Sequence, residues 1–231
     1  MEIKELLFDT MSEKIFATDK SDEVVIEFQD YEAEGDKKEK IKGRASATNA
    51  VSCSMFEYLE SYNVPTHFIR KLDEKSYLAK RVETIPMIVS IWNLASGELT
   101  KRFALDEGKV LEYPVVEMYL KNPDLKNPMI SEYHAYALGL CDRKEIGNIL
   151  KISTKVNAVL KSFFDRKKMK LVNFQIEFGK LGHQIVLCDG LSMGSLIVWT
   201  VDDDGKFHKL DKRGVDKSQM YQELRELIAR D

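Results

Sequence analysis

The change of hydrophobic period near residue 168 constrains this chain more than any other feature. From Arg143 to Asp165 the apolar residues Ile146, Ile149, Leu150, Val156, Leu160, Phe163 and Phe164 recur at helical spacing on one face, with Asp142 placed to cap the first turn. From Met169 the period becomes two, and Met169–Phe178, Gln184–Asp189 and Ser195–Val201 read as strands, the first turning into the second through Gly179-Lys180-Leu181-Gly182-His183. An amphipathic helix followed by adjoining strands buries its stripe on a sheet, which predicts a helix-plus-sheet back half.

The first hundred residues are predicted to be mostly sheet, with strands near Lys14–Ala17, Val24–Phe28, Tyr77–Val82 and Met87–Asn93. One helix interrupts them over Thr48–Tyr62, where Val51, Met55, Leu59 and Tyr62 share a face, Ser46 or Thr48 can serve as N-cap, and Pro65 lies just past the end. The charged stretch Glu32–Lys42 reads as a solvated loop, and Tyr113–Pro128, with prolines at 114, 123 and 128, as irregular or edge-like. Asp202-Asp203-Asp204-Gly205 turns into a short Lys206–Leu210 strand, and a last helix runs from an Asp216 cap through Met220, Leu224, Leu227 and Ile228. The fold class is therefore α+β, without internal repeats.

Length and charge exclude several classes. A chain of 231 residues with 44% hydrophobic residues can bury a sizeable core, and 35 basic against 38 acidic residues create no field that would gather nucleic acid or an anionic membrane. No apolar run reaches the roughly 18 residues of a membrane span. The start, Met1-Glu2-Ile3-Lys4-Glu5, is too charged for a secretory signal, so a cytoplasmic protein is expected. Cys53, Cys141 and Cys188 fit no disulfide or zinc spacing and read as packing residues, and His67, His134, His183 and His208 show no metal-ligand spacing.

Chemistry is sparse. Glu177 and Asp189 end two adjoining predicted strands and could converge on Mg²⁺, which accepts one or two carboxylates and completes its shell with water and phosphate; solvated turn acids are the plain alternative. Asp202-Asp203-Asp204-Gly205 lacks the alternating ligands of a calcium loop. There is no Walker loop, dinucleotide fingerprint, nucleophile elbow or Cys-x-x-Cys motif, and the basic pairs Lys101-Arg102 and Lys167-Lys168 read as solvated faces.

Several segments, taken in order, resemble the SAICAR synthetase family over about Leu6 to Arg230: Val64-Pro65-Thr66-His67-Phe68, Ile85-Pro86, Asn93-x-Ala95-x-Gly97 with Thr100-Lys101-Arg102, Asn127-Pro128-Met129-Ile130 with His134, Leu171-Val172 leading into Glu177-Phe178-Gly179, and Leu187-x-Asp189. The resemblance implies an N-terminal antiparallel sheet lobe like the nucleotide-binding lobes of kinases and ATP-grasp enzymes (1–83) against a larger α/β lobe (84–231), with the site in a cleft. It implies Mg-ATP as cofactor, held by Lys80, Glu83, Glu177 and Asp189, to activate a carboxylate for attack by an amine. Self-association as a homodimer is implied as well.

The site positions depart from that pattern. The family's phosphate-cradling Gly-Lys-x-Lys falls on Thr10, Met11, Ser12 and Glu13; its glutamate on Ile88, its phosphate-binding arginine on Trp92 and the serine after its glycine on Glu98. Its Asp-x-Lys-x-Glu becomes Asn173, Gln175 and Glu177, and its Asp-Glu-x-Ser-Pro-Asp becomes Asp189, Gly190, Leu191, Ser192, Met193 and Gly194, with Ile197 at the arginine position. Each lost charge-stabilising donor costs about 10²–10³ in turnover. The expectation is a ligase activity lost or redirected, Mg-ATP no longer assured, and a less phosphorylated, flatter small-molecule ligand near Trp92, Glu98, Asn173, Gln175, Ser192 and Ile197. The apolar replacements either form a stacking site or simply fill the space. A ligase acting on a changed substrate, true SAICAR synthesis and a non-catalytic partner subunit are the alternatives.

Overall fold

A computed structural model describes residues 1–34, 37–189, 191–192, 194–209 and 217–229. The chain divides into two units, the first formed by 1–83, 191–193 and 211–231, the second by 84–190 and 194–210. The return of the C-terminal helix to the first unit departs from two contiguous lobes.

The first unit contains β1 (Ile3–Asp9), β2 (Glu13–Thr18), β3 (Glu23–Phe28), the hairpin β4 (Tyr31–Glu34) and β5 (Lys37–Lys40), α1 (Arg44–Ser61), β6 (Phe68–Lys71) and β7 (Ser76–Lys80). An antiparallel sheet in the order β1-β2-β3-β7-β6 packs against α1, whose Val51, Met55, Phe56 and Leu59 are buried. Phe56 anchors an aromatic cluster with His67, Phe68 and Tyr77. The charged stretch expected to be a loop is the β4–β5 hairpin, because alternating Lys and Glu serve a solvated two-stranded ribbon as well as a loop. Neither Ser46 nor Thr48 caps α1; Gly43 holds the N-cap position, and the carboxylate of Asp30 accepts the Ala45 N–H at 2.8 Å.

The second unit contains β8 (Glu83–Leu94), α2 (Glu98–Phe103), β9 (Val110–Leu120), β10 (Met129–Ile130), α3 (Glu132–Ala137), α4 (Arg143–Arg166), β11 (Met169–Leu181), β12 (Gln184–Asp189), β13 (Leu196–Val201) and β14 (Phe207–Lys209). The sheet runs β10-β9-β8-β11-β13-β14, with β12 also paired to β11. The capping box at Asp142 forms as expected, its carboxylate accepting from Glu145 N–H at 2.7 Å and Glu145 returning the bond to Asp142 N–H. From that start α4 lays Ile146, Ile149, Val156, Leu160 and Phe164 on the sheet. Tyr113–Pro128 is more regular than expected: Pro114 sits inside β9, where β10 reaches only Met118 and Tyr119, so the missing N–H falls on an otherwise open edge. The β11–β12 turn is also tighter than expected, a two-residue loop with Gly182 at φ 59. α5 (Lys217–Ala229) closes the described chain against α1, with Tyr221 and Ile228 buried. Gly35, Asp36, Leu210 and Asp216, the expected cap of this helix, lie outside the described residues, as does the side chain of Leu224.

Candidate ligand site on the second sheet

The pleat of the second sheet sorts its residues onto two faces. On β8, Asn93 reaches α4 through a reciprocal amide pair with Asn157 at 2.8 and 3.0 Å, which assigns the odd-numbered positions to the helix side. Ile88, Ser90 and Trp92 therefore share the opposite, open face. Asn173 joins them from β11, donating to Ser90 Oγ and to the Ile91 carbonyl, both at 2.9 Å. Its strand alternation carries Gln175 and Glu177 to the same side, while register brings in Ile197 opposite Asn173, Asp189 opposite Glu177, and Glu117 and Tyr119 opposite Ser90 and Ile88. Seven residues singled out from sequence, Ile88, Trp92, Asn173, Gln175, Glu177, Asp189 and Ile197, thus line one surface.

Glu117, which sequence reading missed, is the electrostatic centre of that surface. The residue is 8% exposed, and its carboxylate accepts three hydrogen bonds: from Arg102 at 2.6 Å, Tyr119 OH at 2.7 Å and Trp92 Nε1 at 3.0 Å. Arg102, expected on a solvated face, is instead the counter-ion of a buried acid; its neighbour Lys101 does point to solvent and pairs with Glu98 at 2.6 Å. Trp92 is buried and its one polar group is engaged, so it is a held part of the wall. Burial, and then the hydrogen bond and charge of Glu117, push the Tyr119 hydroxyl up to about 12, which keeps it a donor. A lone Glu inside Val115-Val116-Glu117-Met118 is the sequence signal that could have found this acid.

At the far end, Glu177 lies directly across from Asp189 and bonds Lys121 Nζ at 2.5 Å. Burial first, then the Asp189 charge, push the Glu177 carboxyl up to about 7 against the opposing pull of Lys121. Two adjacent carboxylates suit one hydrated Mg²⁺, although the described residues hold no group of three or more His, Cys, Asp or Glu placed to bind a metal.

The remaining candidates belong to the first unit. Thr10–Glu13 forms a closed turn: Thr10 N–H and Oγ1 both donate to the Glu13 carbonyl at 2.9 Å, and Glu13 N–H donates to Thr10 Oγ1 at 3.1 Å. Two N–H groups of the turn are thereby used internally, and Glu13 adds a negative charge; these residues do not fit a triphosphate. Lys80 is half-buried and reaches the Thr66 carbonyl at 3.4 Å, and Glu83 is exposed. The carbonyl of Leu191, next to Ser192, accepts from Ser52 Oγ at 3.0 Å, while Gly190 and Met193 lie outside the described residues. No helix among the described residues is long and apolar enough to cross a membrane.

An antiparallel sheet packed on one long helix in the first unit, and a helix-backed sheet whose open face carries paired acids in the second, define an α+β protein. The profile of the family described as SAICAR synthetase matches residues 12–227. The phosphoribosylaminoimidazole-succinocarboxamide synthase of Clostridium botulinum strain Hall is 39% identical over 214 residues, covering 92% of this chain and 90% of that one. A solved type-2 SAICAR synthetase in complex with ADP superimposes with TM-score 0.89 at 32% identity, covering 97% of each chain. The synthase from Ehrlichia chaffeensis gives TM-score 0.88 at 29% identity, covering 97% of this chain and 98% of that one. The chain belongs to the SAICAR synthetase family.

Proposed function

We propose that this family member has lost or redirected the ATP-dependent carboxylate–amine ligation of its relatives and binds a small, flat, less phosphorylated ligand, nucleoside-like or aromatic, on the open face of its second sheet. The observation that carries the reading is the charge state of that face: Arg102 is matched by Glu117 and Lys121 by Glu177, so both cations are already committed to carboxylates. A phosphate or phosphoribosyl group needs donors aimed at it. Here Asn173 is spent on Ser90 and the Ile91 carbonyl, and Ile197 presents an aliphatic side chain that is 41% exposed. The closed Thr10–Glu13 turn supports the same reading for the triphosphate.

The test is the shift in thermal midpoint with millimolar Mg-ATP, set beside a panel of uncharged nucleosides and nucleobases. A ligand at about 100 Kd stabilises a fold by roughly 2.7 kcal/mol. The expected result is no shift with Mg-ATP and a clear one with an uncharged ring compound, lost in Gln175→Ala and Ile197→Ala, both at exposed positions. A Mg-ATP shift abolished by Asp189→Asn overturns the proposal in favour of a working ligase, in which the Glu177–Asp189 pair holds the metal.

A further inference from the structure

We infer that Glu117 is a specificity-determining residue: by neutralising Arg102 it fixes the open face as a site for uncharged rather than anionic ligands. This rests on the reading of that face as the ligand site. Arg102 belongs to α2 and Glu117 to β9, and they meet through one short charge-assisted bond of 2.6 Å. The arginine side chain is 32% exposed and the glutamate side chain 7%, so the cation stands toward solvent and the acid behind it. The second terminal nitrogen of Arg102 lies 3.9 Å from Met129 Sδ, a weak acceptor, and the guanidinium carbon stands 5.4 Å from the centre of the Phe103 ring. A guanidinium so placed would recruit an anion if its charge were not matched.

Trp92 and Tyr119 complete the device. Both donate to Glu117 Oε2, leaving Oε1 to Arg102, so the three bonds hold the carboxylate in the orientation that opposes the guanidinium. Removing the acid's charge while keeping its shape releases one positive charge at the surface. Removing both charges restores neutrality. The two changes together form a cycle whose outcome a purely structural role for Glu117 does not predict.

Inorganic phosphate is the probe, titrated against the thermal midpoint at constant ionic strength with chloride as control. Wild type is expected to show no saturable phosphate shift. Glu117→Gln is expected to gain one, on the order of 3–6 °C at about ten times its Kd, and Arg102→Gln/Glu117→Gln to lose it again. Glu117→Asp, which retains the charge, is expected to show no gain, and Glu117→Met, neutral and of similar length, is read where Glu117→Gln does not fold. A saturable shift in wild type or in Glu117→Asp, no gain in the neutral single variant, or a gain that persists in the double variant overturns the inference. Because phosphate reads the Arg102–Glu117 pair without reference to the physiological ligand, failure of the nucleoside panel and failure of this cycle are separate results.

Discussion

Replacing Glu177 by glutamine should change how stability depends on pH, with a sign that the site geometry fixes. In the folded chain burial and the facing Asp189 raise this carboxyl from its ordinary 4.5 to about 7, while Lys121 pulls the other way. At about 1.4 kcal/mol for each pH unit, that displacement puts roughly 3 kcal/mol of penalty on the charged form. The native state therefore binds the proton more tightly than the unfolded chain does. Stability contributed by the protonated acid is complete below pH 4.5, declines as pH rises through 4.5 to 7, and is gone above that window. The Glu177→Gln variant has nothing to ionise at this position, so its stability relative to wild type should grow by about 2–3 kcal/mol between about pH 4.5 and 8. The lost ion pair adds little, because Lys121 is 46% exposed and exposed pairs contribute about 0–1 kcal/mol. Urea unfolding of both proteins at about pH 4.5, 6 and 8 measures the difference, and His67, common to both, cancels from it. A difference that stays constant, or that shrinks as pH rises, refutes the reasoning.

Two further perturbations probe the framework of the site. Asn157→Ala removes half of the reciprocal amide pair and leaves the buried Asn93 amide unsatisfied, which should lower stability by about 1–3 kcal/mol in chemical denaturation. Asp142→Ala dissolves the capping box of α4 and should lower stability by about 1 kcal/mol, visible as a drop of a few degrees in Tm with the helical circular dichroism of the folded state unchanged.

The parts of the fold that are legible from sequence are those whose determinants lie close together along the chain. The α4 start is one, because Asp142 and Glu145 stand three residues apart and signal to each other. The α1 start is the opposite case: its cap comes from Asp30, fourteen positions before Arg44, and no local pattern announces it. β1 is illegible because all seven of its residues are exposed, so no alternation between buried and solvated positions marks it. At the site, Glu177 and Asp189 emerge from predicted strand ends, but β11 continues to Leu181, placing Glu177 within a strand rather than at its tip. Sequence separates Glu117 and Arg102, one inside a segment read as irregular or edge-like and the other on a solvated face, because the bond between them depends on how α2 is laid beside β9.

Strand β11 presents two surfaces to two different selections. Its even-numbered residues Val172, Phe174, Ile176 and Phe178 are wholly buried, whereas Asn173, Gln175 and Glu177 face the other way. The two sets interleave one residue at a time. Replacement in the buried set is limited by packing, and replacement in the other by what the open face meets. A substitution at an exposed alternate position such as Gln175 can therefore alter the open face while the packed side of the sheet stays in place.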